Sequence, residues 1–213
     1  MTIDNNNLNN NYYEGIYVYE IGTGSDDYTD QNVINITNNT INSNGVDSGD
    51  EGLYLSEIDY DAEVNIENNT ITNNGDEGVM LEYLGQEGGA YWGNGDYPDF
   101  RAPRINVKNN TITGNSYSGI YQYDDWQYGV EVTIEGNNIS NNGEYGIYDN
   151  WYLLDSGAVV TTKDNEINNN ALGGIAWAHP IKDGAFNMFQ ATLSPVMEEM
   201  DYTSTMLTRL LRW

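Results

Sequence analysis

The chain has 213 residues, 38% of them hydrophobic, enough for one sizeable core and hence for one domain. Its 33 acidic residues against 7 basic ones leave a net charge of −26, which repels a nucleic-acid backbone and discourages contact with anionic lipid. No cysteine is present, so there is no disulfide framework, and no apolar run approaches the ~18 residues of a spanning helix, so membrane insertion is not expected.

From its first residues the chain spells one unit repeatedly. The pattern Asn-x-[Ile/Leu]-x-x-Asn occurs as NNLNNN (6–11), NTINSN (39–44), NTITNN (69–74), NTITGN (110–115), NNISNN (137–142) and NEINNN (165–170). Two asparagine columns result: Asn6, Asn39, Asn69, Asn110, Asn137 and Asn165, then Asn11, Asn44, Asn74, Asn115, Asn142 and Asn170. Ahead of most units lies a short alternating pair such as Ile34 and Ile36, Val64 and Ile66, Ile105 and Val107, or Val132 and Ile134. After the motif comes a glycine followed by an apolar residue: Gly15-Ile16, Gly52-Leu53, Gly78-Val79, Gly119-Ile120, Gly146-Ile147 and Gly174-Ile175. Each unit thus predicts three very short strands joined by turns. Such strands bury too little alone to offset their ordering entropy, but stacked copies can pair in parallel and close an apolar interior.

Ile3, Ile36, Ile66, Val107, Ile134 and Thr162 are predicted to lie one above the next, at intervals of 33, 30, 41, 27 and 28 residues. The longest interval places an insertion at about 85–103, after the glycine-led strand. In this arrangement each column asparagine has two duties. It adopts the left-handed conformation of a sharp turn, and its amide bonds to the next copy at the ~4.8 Å strand spacing. After His179-Pro180 asparagine nearly vanishes. Ser194-Pro195 predicts a helix start with apolar residues at helical spacing beyond it. The domains are therefore a solenoid over 1–180 and a helical cap or tail over 181–213. Met1 and Ile3 already belong to a coil, which points to truncation or to an end that stacks on another chain by end-to-end self-association, and the start MTIDNNNLNN lacks the features of a signal peptide.

These residues resemble the right-handed parallel β-helix repeat family, the pectate-lyase-like solenoids, across about residues 1–180. The resemblance implies an all-β fold: a single right-handed parallel β-helix of about six coils with Asn ladders and a C-terminal capping helix. It also implies that the glycine-led segment is the first strand of the family's coil, along whose face ligands lie.

With the residue after glycine inward, the outward rows of that face read Tyr17, Tyr54, Met80, Tyr121, Tyr148, Ala176 and Tyr19, Ser56, Glu82, Tyr123, Asn150, Ala178. Tyr17, Tyr19, Tyr54, Tyr121, Tyr123 and Tyr148, bordered by Trp126 and Trp151, suit sugar rings, whose C–H faces pack on aromatics while hydroxyls reach carboxylates. Tyrosine also stacks across strands without any ligand, and both readings stand. Carboxylates gather on the same flank: Glu20, Glu57, Glu82, Asp124, Asp125, Asp149 and Asp155. Glu20 and Glu57 occupy equivalent places on neighbouring coils and are candidate Ca2+ ligands; Asp47, Asp50 and Glu51 form another oxygen-rich cluster. Glu82, Asp124 and Asp125 are the candidate catalytic acids.

Comparison with enzymatic members weakens catalysis. Polygalacturonase-like hydrolases order Asn-Thr-Asp, Asp-Asp, Gly-His-Gly and Arg-Ile-Lys, whereas this chain has Asp124-Asp125, an early Arg104-Ile105-Asn106 and one histidine, His179. Lyases resembling pectate lyase need a base beside calcium, and basic residues are scarce. The expected function is a non-catalytic surface or extracellular binding or scaffold protein for a glycan. The alternatives are a carbohydrate-active enzyme, either glycoside hydrolase or calcium-dependent polysaccharide lyase, and a purely structural spacer or adhesin. The acidity alone equally fits solvation in a salt-loving host.

Overall fold

The computed structural model describes residues 1–22, 32–59, 62–85, 102–123, 129–150 and 158–178, together with the backbone of 186–190. The chain runs as successive triplets of strands. The first coil holds β1 (Thr2–Asp4), β2 (Asn7–Asn9) and β3 (Ile16–Ile21), and the second β4 (Asn32–Thr37), β5 (Thr40–Asn42) and β6 (Leu53–Ile58). The third comprises β7 (Ala62–Glu67), β8 (Thr70–Thr72) and β9 (Val79–Leu84), the fourth β10 (Arg104–Lys108), β11 (Thr111–Thr113) and β12 (Ile120–Tyr123). Then follow β13 (Glu131–Glu135), β14 (Asn138–Ser140) and β15 (Tyr145–Asn150), and finally β16 (Val159–Lys163), β17 (Glu166–Asn168) and β18 (Gly173–Trp177), with β19 (Phe186–Gln190) after them.

Each strand pairs in parallel with its counterpart one coil away, giving three sheets. Sheet A runs β1-β4-β7-β10-β13-β16-β19, sheet B β2-β5-β8-β11-β14-β17, and sheet C β3-β6-β9-β12-β15-β18. The predicted stacking of Ile3, Ile36, Ile66, Val107, Ile134 and Thr162 is the observed register of sheet A. Apolar columns from the three sheets, such as Ile36–Ile66–Val107, Ile41–Ile71–Ile112–Ile139 and Leu53–Val79–Ile120–Ile147, meet in one buried core. β19 continues sheet A past residue 180, with Phe189 paired to Thr162. The helix predicted from Ser194 lies outside the described residues.

Both asparagine ladders are present. In the first, Asn39 Nδ2 donates to Asn69 Oδ1 (3.0 Å), Asn69 to Asn110 (3.1 Å), Asn110 to Asn137 (3.0 Å) and Asn137 to Asn165 (2.9 Å). The remaining Nδ2 proton reaches a carbonyl of sheet A in the preceding coil, as from Asn110 to Ile66 at 2.8 Å. Each Oδ1 accepts in addition a backbone N–H, as Asn137 does from Asn110 at 2.9 Å. Four bonds per buried amide use the donor and acceptor capacity of the group in full. A shorter third ladder, Asn35–Asn65–Asn106, runs on the outer side of sheet A.

The two duties assigned to the column asparagine are divided between neighbours. The left-handed backbone falls on the residue before it: Asn5, Asn38, Asn68, Asn109 and Asp164 in the first turn, with Gly136 in the fifth coil, and Asn10, Ser43, Asn73, Asn141 and Asn169 in the second turn, with Gly114 in the fourth coil. The column residue is thereby free to point its amide inward along the stack. Glycine ahead of sheet C has a different reason, close approach: a Cβ on Gly78 would stand 2.5 Å from Ile112 Cγ2 and 2.7 Å from the Gly119 carbonyl oxygen.

Candidate functional site

Sheet C carries the candidate face. Its register sets Tyr17, Tyr54, Met80, Tyr121, Tyr148 and Ala176 in one column, as predicted. Ring centroids are 5.1 Å apart between Tyr17 and Tyr54, which are tilted by 37°, and 5.3 Å between the stacked Tyr121 and Tyr148, close to the strand spacing, so Met80 divides two tyrosine pairs. Along the strands, Tyr17–Tyr19 and Tyr121–Tyr123 centroids lie 6.3 and 5.9 Å apart. Tyr17 and Tyr19 are 54% and 47% exposed, whereas Tyr54, Tyr121, Tyr123 and Tyr148 are half-buried.

Hydroxyl bonds fix these rings. Tyr19 donates to Glu57 Oε1 at 2.8 Å, Tyr54 donates to Glu82, and Tyr121 accepts from Asn150 Nδ2 at 2.9 Å. The bond to Glu57 pushes the Tyr19 phenol up to about 12, and burial with Glu82 alongside pushes Tyr54 up as well. The second outward row departs from prediction. Ser56 and Glu82 are buried, and Glu82, 9% exposed, also receives the Ser56 hydroxyl at 3.3 Å. Glu82, a candidate catalytic acid, thus anchors two hydroxyls of its own sheet.

Glu20 and Glu57 stand at corresponding points of β3 and β6, flanked by the pairs Tyr19–Ser56 and Ile21–Ile58. With Tyr83 on β9 they share a left-handed backbone, φ 56°, 54° and 51°, a kink that holds two consecutive residues off the core before Ile21, Ile58 and Leu84 turn inward. Asp149 does not belong to the acidic flank: its register continues Leu55, Leu81 and Gln122, and it is buried in the core line. Asp124, Asp125, Trp126, Trp151, Asp155 and His179 lie outside the described residues.

Among the described residues, the closest gathering of carboxylates is elsewhere, in the turn entering sheet C. The residues ahead of the glycines that lead into sheet C, Glu14, Glu51 and Glu77, form a column, and Asp50 stacks beneath Asp76 next to it. Carboxylate oxygens of Glu14, Asp50 and Glu51 lie within 4.8 Å of one another, as do those of Glu51, Asp76 and Glu77. Asp47, expected with Asp50 and Glu51, is exposed and outside both groups. Burial raises Glu51 to about 7, and burial together with Asp76 raises Glu77 well above the carboxylate range; burial raises Asp76 too. Glu77 also holds Tyr121 up, after the burial of that phenol itself, which ties the acidic column to the tyrosine face. A signal for this column was present in the sequence: a glutamate precedes the glycine in Glu14-Gly15, Glu51-Gly52 and Glu77-Gly78.

Three parallel sheets wound about one core, with asparagine ladders at two corners, define a parallel β-solenoid. The chain belongs to the right-handed β-helix family, whose model, a right-handed β-helix region, matches residues 1–180. No curated protein and no solved structure matches the chain.

Proposed function

We propose that the chain is a non-catalytic binding module, displayed at a surface or outside the cell, that takes a neutral or cationic glycan along the outer face of sheet C. The observation that carries this reading is the in-register tyrosine column, with Tyr17 and Tyr19 open to solvent at one end. Rings held by Glu57, Glu82 and Asn150 lose little freedom when a sugar packs on them, and the Glu57 carboxylate and the Asn150 amide stand nearest the sugar's hydroxyls. A net charge of −26 disfavours polyuronates and other anionic glycans. Spacing by a rigid solenoid gives the ligand a ruled surface, with two pairs of tyrosines at the coil spacing on either side of Met80, which suits an extended chain of repeating units.

Calorimetry against a panel of neutral and amino-sugar oligosaccharides tests the proposal. A binder is expected, and Tyr17→Ala or Tyr19→Ala should weaken it about tenfold, or ~1.4 kcal/mol, at unchanged melting temperature, because both rings are exposed. Product analysis on the same panel checks turnover, and cleavage would replace this reading by the carbohydrate-active alternative. A panel without any binder, and tyrosine variants that are merely less stable, would leave the column as a sheet-stacking device on a structural spacer.

A further inference from the structure

Among the described residues, no basic side chain stands against the column of carboxylates entering sheet C. Among the described residues, ion pairs occur only on sheet A, as Arg104–Glu131, Lys108–Glu135 and Lys163–Glu135. Glu51, Asp76 and Glu77 therefore crowd their oxygens within 4.8 Å of one another without a basic side chain among them. Carboxylate oxygens gathered this closely can face one ion, and calcium, which takes irregular sets of oxygen ligands at ~2.4 Å, suits three side chains of a turn better than magnesium, which demands a strict octahedron at ~2.1 Å.

An independent observation lies one coil further on. Gly52 N–H donates to the Glu77 carbonyl (2.9 Å) and Gly78 N–H to the Ser118 carbonyl (3.1 Å), so Glu51, Glu77 and Ser118 issue from corresponding points of successive coils. Corresponding side chains of a parallel stack point the same way, about 4.8 Å apart. Ser118 is fully buried, and its hydroxyl has no hydrogen-bond partner. A buried hydroxyl without a partner is costly, and a ligand at the head of the carboxylate column would supply one. We propose that Glu51, Asp76 and Glu77, with the Ser118 hydroxyl one coil beyond Glu77, form a binding site for a hard divalent cation of calcium type. Glu77 is buried while Glu51 and Asp76 are half-buried, so the site is sealed on the coil interior and open toward solvent past Asp76. This site is separate from the glycan face in function and stands or falls without it.

The test uses the whole chain, stripped with a chelator and dialysed at pH 8 into low salt. Calcium chloride should give saturable binding by calorimetry and raise the melting temperature, with magnesium at least tenfold weaker. Glu77→Gln and Asp76→Asn should each weaken calcium by at least tenfold, while Glu166→Gln, on sheet B, should leave it unchanged. Both site variants remove repulsion, so they are expected to fold at least as well as the parent in chelator, and a lost response then reports binding. A melting shift matched by sodium chloride at equal ionic strength overturns the proposal. So does calcium binding that survives Glu77→Gln and Asp76→Asn, including binding lost instead in Glu20→Gln or Glu57→Gln.

Discussion

Two ladders climb the same coils, and they behave in opposite ways. In the asparagine ladder each amide supplies two donors and two acceptor positions, so identical copies satisfy one another: Asn69, Asn110 and Asn137 are bonded above, below and to the backbone. In the ladder Glu14–Glu51–Glu77 each ionised group only accepts, so identical copies repel, and burial first, with the neighbouring carboxylates adding to it, raises Glu51 and Glu77. A repeat multiplies whatever a side chain does to its own copy. Neutral, self-complementary residues can therefore run the length of the solenoid, whereas the carboxylate column stops after the third coil and gives way to Ser118 and Tyr145.

The largest effect should come from breaking the first ladder at mid-height. Asn110→Ala removes bonds to both neighbouring coils and strands the backbone N–H of Asn69 and the carbonyl of Ile66, so a loss of about 3 kcal/mol is expected, at the upper end for unmet buried partners. Asn6→Ala, at the exposed end, should cost about 1 kcal/mol. Urea midpoints measure both. Equal costs at the middle and the end would mean that the amides act one by one and not as a ladder.

The second ladder should respond to pH with the sign of a raised carboxylate. The folded chain keeps protons on Glu51, at about 7, and on Glu77, higher still, that the unfolded chain releases near the ordinary value of 4.5. The stability these protons give is complete below about pH 4.5 and is lost as pH climbs through 7 and beyond. In chelator, the melting temperature should therefore drop by several degrees between pH 5 and pH 9, and Glu77→Gln should flatten that slope. A profile identical in parent and variant would show that the column is solvated well enough to ionise without penalty.

The period made much of this legible. Residues 33, 30, 41, 27 and 28 apart along the chain meet through Asn6, Asn39, Asn69, Asn110, Asn137 and Asn165, because an amide ladder tolerates no slip in register. What stayed hidden has physical causes. Asn68 and Asn69 are the same residue type, so nothing in the letters says which of them takes the left-handed turn and which the ladder. The kink at Glu20, Glu57 and Tyr83 uses none of the residues that usually announce positive φ, and it is what lets Ile21, Ile58 and Leu84 reach the core. Asp149 was grouped with nearby acids by its charge, although counting two residues on from the inward Ile147 places it in the core line beside Gln122. Glu51 is legible only through its chain neighbours Asp47 and Asp50, and its partner Glu77 stays hidden, because a column filled in three coils out of six does not read as a repeat. β19 escaped because its sequence, FNMFQ, carries none of the asparagine spelling.

A third column, on the outer side of sheet A, supplies the control that both ladders lack. Register stacks Glu67, Lys108, Glu135 and Lys163, charges of alternating sign, and Glu135 meets Lys163 at 3.0 Å and Lys108 at 3.9 Å. Here copies neither match nor repel; each rung neutralises the next. These side chains are about a third exposed, so their attraction is screened, and Glu135→Gln should cost only ~0.5 kcal/mol, fading in high salt. Lys108→Glu is the sharper variant, because it turns the column into Glu67, Glu at 108 and Glu135, a like-charged run resembling the one at the entrance to sheet C. Cross-strand repulsion of this kind destabilises by roughly 0.2–1 kcal/mol, and the variant should acquire a stability that falls as pH rises through the carboxylate range. Urea midpoints for Lys108→Glu and the neutral Lys108→Gln, at low and high salt, separate repulsion from the mere loss of a lysine. If the two variants melt alike under both conditions, like charges one coil apart do not govern the outer columns, and the protons held on Glu51 and Glu77 owe their place to burial alone.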